Sequence, residues 1–228
     1  MPSAGSGQLA QSAGTEISGQ SDRKRRAIQT AGTAVFLRLG YGSASMDLIA
    51  SEAKVSKQTI YNHFHSKDEL FKAIITDMTM RLMEPLSMRE AAKSTPDRLL
   101  RSLGRDFLTL MLQPSSLALY RLIVAESARF PEIGGALYAA GSGRLIGVLA
   151  DYLAWETKQG RLAVTEPERA AELFLGMLSG RVQLRALLGA CAEPPEAELD
   201  SRVSHAVSSF LRLYTPESAA SAPYAAHA

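Results

Sequence analysis

The chain of 228 residues contains a single cysteine, Cys191. One cysteine excludes an internal disulfide framework and any metal site that needs several thiolates. Residues 1–20 lack the basic start and the apolar run of a signal peptide. No uninterrupted apolar run approaches the ~18 residues of a membrane-spanning helix. We therefore expect a cytoplasmic protein without a membrane segment.

The sequence also predicts no β-strand, since no stretch shows a convincing alternation of apolar and polar residues. Apolar residues recur at helical spacing instead. We predict an all-α fold in which an N-terminal three-helix helix-turn-helix domain is joined by a long fourth helix to a C-terminal helical domain. Residues 1–20 and 216–228 are rich in small and polar residues, so we expect a disordered arm and a disordered tail.

Charge is distributed unevenly along the chain, although the net charge is only +2. Between Ser21 and Lys67 eight Lys and Arg residues oppose three Asp and Glu residues, so the rest of the chain is mildly acidic. Such a basic head favours a polyanionic partner. An ordinary solvated helix surface is the alternative that charge alone leaves open.

The N-terminal helices are marked by apolar faces, N-capping serines and helix-breaking residues. Proline stands at or near the start of each later helix, where its missing N–H does little harm. The predicted elements are a first helix ended by Gly40 and Gly42, a second capped by Ser45, a third over about 57–63 capped by Ser56, a fourth from Lys67 to a break at Pro85, and five more at about 96–113, 115–130, 131–158, 166–189 and 195–214.

Residues 41–71 contain two short helices around a tight turn, followed by a longer helix. The short helices have little core of their own, so their few apolar residues must bury against the first and fourth helices. The outward face of the third helix then carries side chains that can reach base edges and phosphates: Lys57, Gln58, Thr59, Tyr61, Asn62 and His63. No acidic residue lies between Lys54 and Lys67, as expected for a surface that faces phosphates.

This segment resembles the N-terminal DNA-binding domain of the TetR family of bacterial regulators. The similarity covers about residues 21–81, with the helix-turn-helix at about 44–63. It departs from the family pattern at Lys54, where glycine is usual and a left-handed conformation would strain a lysine by about 1 kcal/mol. The matching residues are the pair Ile49-Ala50, the turn Val55-Ser56, the run Thr59, Ile60, Tyr61, His63 and Phe64, and the following Ser66, Lys67, Glu69 and Leu70.

The resemblance implies a role for each matching position on double-stranded DNA. Ser45 and Lys67 would bind phosphates at the starts of the second and fourth helices. Lys57 and Gln58 would contact base edges, and Asn62 either a base or the backbone. Phosphate contacts set register, whereas base contacts choose the sequence. Phosphate contacts are also implied for Thr59, His63 and Tyr61, whose ring would in addition pack inward.

The run from Tyr120 to Tyr138, followed by a long helix and a helical pair, resembles more weakly the ligand-binding halves of AcrR- and AefR-type members of the family. Residues 82–215 are therefore expected to form a ligand-binding and dimerisation domain. The resemblance implies a homodimer through the last two long helices, 166–189 and 195–214. Gly176 and Gly180 would allow a close helix approach there, with ordinary internal packing as an equal alternative. It also implies a pocket for a small-molecule effector among the helices between about 96 and 185.

Ligand-site candidates are aromatic, flexible or charged side chains within mostly apolar helices. For the aromatic residues and methionine, ordinary core packing is the alternative, and the arginines could simply extend to the surface. The candidates are Tyr120, Arg121, Tyr138, Arg144, Trp155, Phe174, Met177 and Arg181.

Other motifs do not support a catalytic or metal-binding function. The run GSGRLIG at 141–147 has its third glycine one residue late for a dinucleotide fingerprint, and no strand precedes it. His63 and His65 are poorly placed for a metal, and no nucleophile, base and orienting group can be paired. We expect no cofactor. The leading hypothesis is a repressor that a small, largely apolar ligand releases from a palindromic operator. The alternatives are an activator, a ligand-independent regulator and, remotely, an enzyme.

Overall fold

The structure is a computed structural model that describes residues 6–86, 92–190 and 194–216, with side chains from residue 19 onward except that of Arg81. These residues contain helices and no β-strand, which confirms the predicted all-α class. Cys191 and the expected disordered tail beyond Pro216 lie outside the described residues.

The described helices follow the prolines and capping residues closely. A short 3₁₀ turn over Glu84–Leu86 ends the fourth helix at the predicted break. In chain order they are α1 (Ser6–Ser43), α2 (Met46–Glu52), α3 (Lys57–His63), α4 (Lys67–Met83), α5 (Pro96–Leu112), α6 (Pro114–Glu126), α7 (Pro131–Leu137), a π-helical turn over Tyr138–Ser142, α8 (Gly143–Lys158), α9 (Pro167–Leu187) and α10 (Glu196–Tyr214).

Helix α1 differs from the expectation at both ends. It begins at Ser6, so the prediction of a disordered arm is wrong for residues 6–20, and residues 1–5 lie outside the described part of the chain. This segment has no proline beyond Pro2, and a helix that is already nucleated by packing extends with one hydrogen bond per added residue. At the other end Gly40 leaves the helical conformation with φ 80° and ψ 164°, as its predicted role in ending the helix requires.

The chain divides into two compact units. Unit 1 comprises the chain up to Ile74 together with Leu122–Gly134, and unit 2 comprises Ile75–Arg121 and the chain from Gly135 onward. The domain boundary expected after residue 81 therefore falls earlier, and a segment from the C-terminal half joins the N-terminal unit. The reason is local packing, because Phe130 of that segment contacts the ring of Tyr41 at a centroid distance of 5.4 Å.

The core of unit 1 is aromatic. Phe36 of α1, Tyr41 and Phe71 of α4 have their ring centroids 5.3–5.6 Å apart, and all three side chains are buried. Ile49 from α2 and Ile60 from α3 are fully buried as well. Helix α2 packs against α1, as the sequence predicts, and α3 packs against α2.

The core of unit 2 lies among α5, α8, α9 and α10. Phe174 of α9 and Phe210 of α10 are fully buried and meet edge to face, with their centroids 5.2 Å apart. The run from α7 through α8, Pro131–Lys158, is long and apolar enough to cross a membrane by length and composition alone. Its residues Leu145, Leu149 and Leu153 belong to the core of unit 2, and core helices pass this test as well.

Helix α9 is kinked at Gly180, which has φ 37° and ψ −137°. A Cβ atom at Gly180 would meet only Nη1 of Arg202, and one at Gly176 would meet nothing within 4 Å. Both glycines are exposed. Among the described residues, close internal packing therefore does not explain Gly176.

Candidate nucleic-acid interface

Serine caps set the start of both short helices. The hydroxyl of Ser45 accepts the N–H of Leu48 at 3.2 Å, and that of Ser56 accepts the N–H of Thr59 at 3.1 Å. Each bond satisfies one of the N–H groups that a helix start leaves without a partner. The predicted capping roles of both serines are confirmed. The Ser45 hydroxyl keeps its own hydrogen, which can still be donated to a phosphate.

The turn between α2 and α3 is closed by a Schellman motif. The N–H of Val55 donates to the carbonyl of Ala50 at 3.0 Å, and that of Lys54 donates to Ser51 at 3.2 Å. Lys54 holds the left-handed position of the motif with φ 54°. The lysine therefore adopts the conformation that glycine adopts most easily, and both hydrogen bonds of the motif are present.

Helix α3 presents its polar side chains outward because Ile60 and the following Phe64 are fully buried. Thr59 and His63 are half-buried. Tyr61, whose ring was expected to pack inward as well as to contact a phosphate, is 38% exposed. The α3 residues exposed to solvent are Lys57, Gln58, Tyr61 and Asn62.

Hydrogen bonds already organise this face. Nζ of Lys57 lies 2.8 Å from Oδ2 of Asp47, and this hydrogen bond raises the pKa of the lysine. Nε2 of Gln58 donates to Oδ1 of Asn62 at 2.9 Å. The two residues expected to contact bases are thus held by neighbours on α2 and α3. Each keeps further donors for DNA, because an ammonium group has three N–H bonds and a side-chain amide has two.

Lys67 stabilises the turn between α1 and α2. Its Nζ donates to the carbonyls of Tyr41 at 2.8 Å and Ala44 at 3.2 Å, and it lies 4.3 Å from the centroid of the Tyr41 ring. An ammonium group has three N–H bonds, so one remains for the predicted phosphate. Lys67 therefore has a structural role that the sequence did not reveal.

Glu126 makes a second contact with the same turn, and no sequence pattern predicted it. Its Oε1 accepts the N–H of Tyr41 and its Oε2 accepts that of Gly42, each at 3.0 Å. A side chain at Gly40 would collide with this carboxylate, and one at Gly42 would lie 3.0 Å from the ring of Phe130. The glycines of the turn are therefore needed for the approach of residues 122–134 as well as for ending α1. The sequence contained one signal, the two glycines, but nothing that identified their partner.

The ligand-site candidates do not form one cluster. Arg121 donates through Nε to the carbonyl of Leu187 at 2.8 Å and through Nη2 to that of Ala186 at 2.7 Å, so it caps the end of α9. No hydrogen bond, ion pair or ring contact between described residues joins any two of the eight. Phe174 is buried core, Trp155 and Met177 are half-buried against that core, and the exposed candidates are Tyr120, Arg121, Tyr138, Arg144 and Arg181.

A capped helix-turn-helix with a polar outward face, followed by a separate helical unit, defines the class of DNA-binding transcriptional regulators. Residues 28–74 match the model of bacterial regulatory proteins of the tetR family. Residues 98–216 match that of the AefR-like transcriptional repressor C-terminal domain. The chain belongs to the TetR family.

Solved structures and curated relatives agree with this assignment. A TetR-family regulator from Mesorhizobium loti is 30% identical, with a TM-score of 0.73 over 86% of this chain and 98% of its own. The flavonoid-responsive regulator FrrA is 29% identical, with a TM-score of 0.69 over 86% of this chain and 99% of its own.

Among curated proteins, the transcriptional activator FasR of Mycolicibacterium smegmatis is 38% identical over 76 residues, which are 33% of this chain and 34% of FasR. The regulator YhgD of Bacillus subtilis is 40% identical over 63 residues, which are 28% of this chain and 32% of YhgD. The chain thus matches about a third of the length of these two relatives. The matched families and relatives are transcriptional regulators, not enzymes.

Proposed function

We propose that the protein is a cytoplasmic homodimeric repressor that leaves a palindromic operator when a small, largely apolar ligand binds. The observation that carries the proposal is the outward face of α3, where buried Ile60 and Phe64 direct Lys57, Gln58 and Asn62 toward solvent. Repression is supported by the AefR-like repressor domain that matches the C-terminal half.

Dimerisation through α9 and α10 is supported by the apolar surface of α9. Leu173, Leu184 and the adjacent Leu188 are 41%, 57% and 72% exposed, and the exposed Gly176 lies on the same helix. Exposed apolar side chains grouped on one element are typical of an interface. A second copy of this chain is the partner that a palindromic operator requires, because its two half-sites need two identical DNA-binding units, here called heads.

The ligand site is placed in unit 2, near the half-buried candidates Trp155 and Met177. A largely apolar ligand suits this environment, because both side chains pack against the core. The similarity to the flavonoid-responsive regulator FrrA supports a planar aromatic compound as the first class to test. The exposed arginine candidates, Arg144 and Arg181, would reach the ligand only at its polar end.

The proposed switch uses α4, which belongs to unit 1 up to Ile74 and to unit 2 from Ile75. In a dimer the two α3 helices must stand about 34–36 Å apart, or a multiple of that distance, to enter successive major grooves. A ligand that binds preferentially to a conformation with another spacing shifts the population away from DNA. The ligand needs no contact with DNA for this effect.

The proposal is tested with a duplex that the protein itself selects from a random-sequence library. Affinity for this duplex is measured with and without each member of a flavonoid panel, beside an unrelated duplex of equal length. The expected result is selective binding that at least one compound weakens. Equal affinity for both duplexes would refute sequence-specific binding, and affinity that no compound changes would refute release by this ligand class.

Two substitutions test the assigned contacts. Gln58→Ala should relax sequence preference without lowering thermal stability, because it removes an exposed base-reading group. Lys67→Ala should weaken binding to all sequences similarly and should also lower thermal stability, because the carbonyls of Tyr41 and Ala44 lose their donor. Unchanged sequence preference in the first variant would contradict the assignment of Gln58.

An activator is the second candidate, and the similarity to the activator FasR favours it. That similarity covers only about a third of the chain, so it carries less weight than the repressor domain. Expression of a reporter from the bound promoter, compared between wild-type and deletion strains, separates the two. A repressor gives higher expression after deletion, and an activator gives lower expression.

A further inference from the structure

Four consecutive basic residues form one turn of α1 immediately before its packed part. All four side chains are exposed, whereas Ile28 is fully buried. The match to the tetR family model begins at Ile28, so this turn lies outside the matched region. We call it the basic turn: Arg23, Lys24, Arg25 and Arg26.

The basic turn lies beside the end of the recognition helix. The guanidinium carbon of Arg25 is 4.6 Å from the centroid of the Phe64 ring, and Phe64 directly follows α3. One helical turn rises only about 5.4 Å, so the other three cations are within a turn of this contact. Successive helical side chains point in directions about 100° apart, so Arg25 lies against the residue that ends α3, while the exposed side chains of Arg23, Lys24 and Arg26 extend from the other sides of the same turn.

Three other cations of unit 1 are already engaged within the protein. Arg38 forms a two-pronged ion pair with Glu52 at 2.6 and 3.0 Å, Lys57 pairs with Asp47, and Lys67 donates to backbone carbonyls. By contrast, no carboxylate within the described part of the chain forms a direct ion pair with any residue of the basic turn. Arg25 is near enough to Glu69 to help lower the pKa of that carboxyl, whose hydrogen bonds go to His65. Asp22 is adjacent in sequence, but neighbours at i,i+1 do not face each other on a helix.

We propose that the basic turn binds backbone phosphates of duplex DNA next to the base pairs that α3 reads. This inference rests on the proposed DNA-binding function and adds a second, sequence-independent contact to it. Guanidinium groups bind phosphate through paired N–H donors, and an ammonium group binds it as a point charge. The three arginines and one lysine of the basic turn therefore suit the densely charged backbone of DNA. Such contacts raise affinity and fix the position of the head without choosing the sequence.

The test compares two triple substitutions that remove the same charge. The first changes Arg23, Lys24 and Arg26 to Gln and keeps Arg25, whose side chain packs on Phe64. The control changes Arg98, Lys158 and Arg212, which are exposed residues of unit 2, to Gln. Glutamine is a good helix former, so α1 should persist. Binding to the selected duplex and to an unrelated duplex is measured over a series of salt concentrations.

In the first variant the slope of log affinity against log salt should become shallower by about 0.9 for each phosphate that the variant no longer binds, hence by about 1 to 3 in total. The preference for the selected duplex should stay unchanged. The control variant should keep the wild-type slope. Trimming the duplex outside the α3 site should weaken the wild type more than the first variant.

An unchanged slope in the first variant, with selective binding intact, would overturn this inference and leave the proposed function standing. An equal change in the control would also overturn it, because the effect would then be one of net charge. Failure of the wild type to bind any duplex at low salt would refute the proposed function itself.

Discussion

At the scale of single residues, Lys57 shows how an acidic neighbour controls a DNA-reading side chain. Its Nζ is held 2.8 Å from the carboxylate of Asp47, which stands in the first turn of α2. The carboxylate keeps the pKa of the lysine high, but it also competes with DNA for the ammonium group and repels phosphates nearby. Asp47 thus sets the strength of the contact that Lys57 can make.

We predict that Asp47→Asn tightens binding to every duplex by about twofold to fivefold, the range that a single exposed ion pair supports. Fluorescence anisotropy with selected and unrelated duplexes measures the effect. Asp151→Asn serves as the control, because it removes the same charge from an exposed position in unit 2. Weaker binding of the Asp47 variant would mean that the carboxylate positions Lys57 for DNA instead of competing for it.

At the scale of elements, the turn between α2 and α3 contains one strained residue. Lys54 occupies a left-handed conformation in a Schellman motif that needs no lysine side chain. Lys54→Gly should therefore stabilise the protein by about 1 kcal/mol, measured by urea unfolding. Ala53→Gly, one residue earlier with φ −73°, should be neutral or destabilising. A loss of stability in the Lys54 variant would show that its side chain makes a contribution larger than the strain.

The two hydrogen bonds that Glu126 accepts from the turn between α1 and α2 lead to a prediction about local opening. Glu126→Gln replaces one acceptor oxygen by a donor group, so one of the two N–H groups of Tyr41 and Gly42 loses its partner. We expect a loss of about 1.5–3 kcal/mol, the range for hydrogen bonds to charged groups, and faster amide exchange at these two residues. Asp22→Asn, the same change of carboxylate to amide at an exposed position of unit 1, should change neither quantity. Unaltered exchange in the Glu126 variant would contradict the assigned role.

The sequence predicted those elements whose signals are local. Capping serines and an apolar face placed α2 and α3, and prolines placed the later helices, because each signal acts within one turn of helix. The same face predicted which α3 side chains are exposed, apart from Thr59 and His63, which are half-buried. Local patterns do not reveal partners that are distant in sequence, so the contact between Glu126 and Tyr41 and the ion pair between Lys57 and Asp47 were missed. The helical continuation of α1 before residue 21 was missed because composition describes isolated segments, not extensions of a packed helix.

At the scale of the whole molecule, packing within a single chain does not explain why leucines of α9 and at its end are exposed to solvent. Leu184 is 57% exposed and Leu188 is 72% exposed, although most leucines of unit 2 are buried. If a second copy covers this surface, a charge placed there must be desolvated in the dimer but not in the monomer. The surface therefore allows dimerisation to be disrupted while the fold of each chain is kept.

We predict that Leu184→Asp converts the dimer into a folded monomer, detected by sedimentation velocity with helix content unchanged by circular dichroism. Binding to a palindromic duplex should weaken far more than binding to a single half-site, because the two heads lose their link and with it their high effective concentration. Leu39→Asp is the control, since Leu39 is 41% exposed and lies on α1 in unit 1. It should leave the oligomeric state unchanged. A Leu184 variant that remains dimeric would remove α9 from the interface, and the two heads would then have to be linked through a different surface of unit 2.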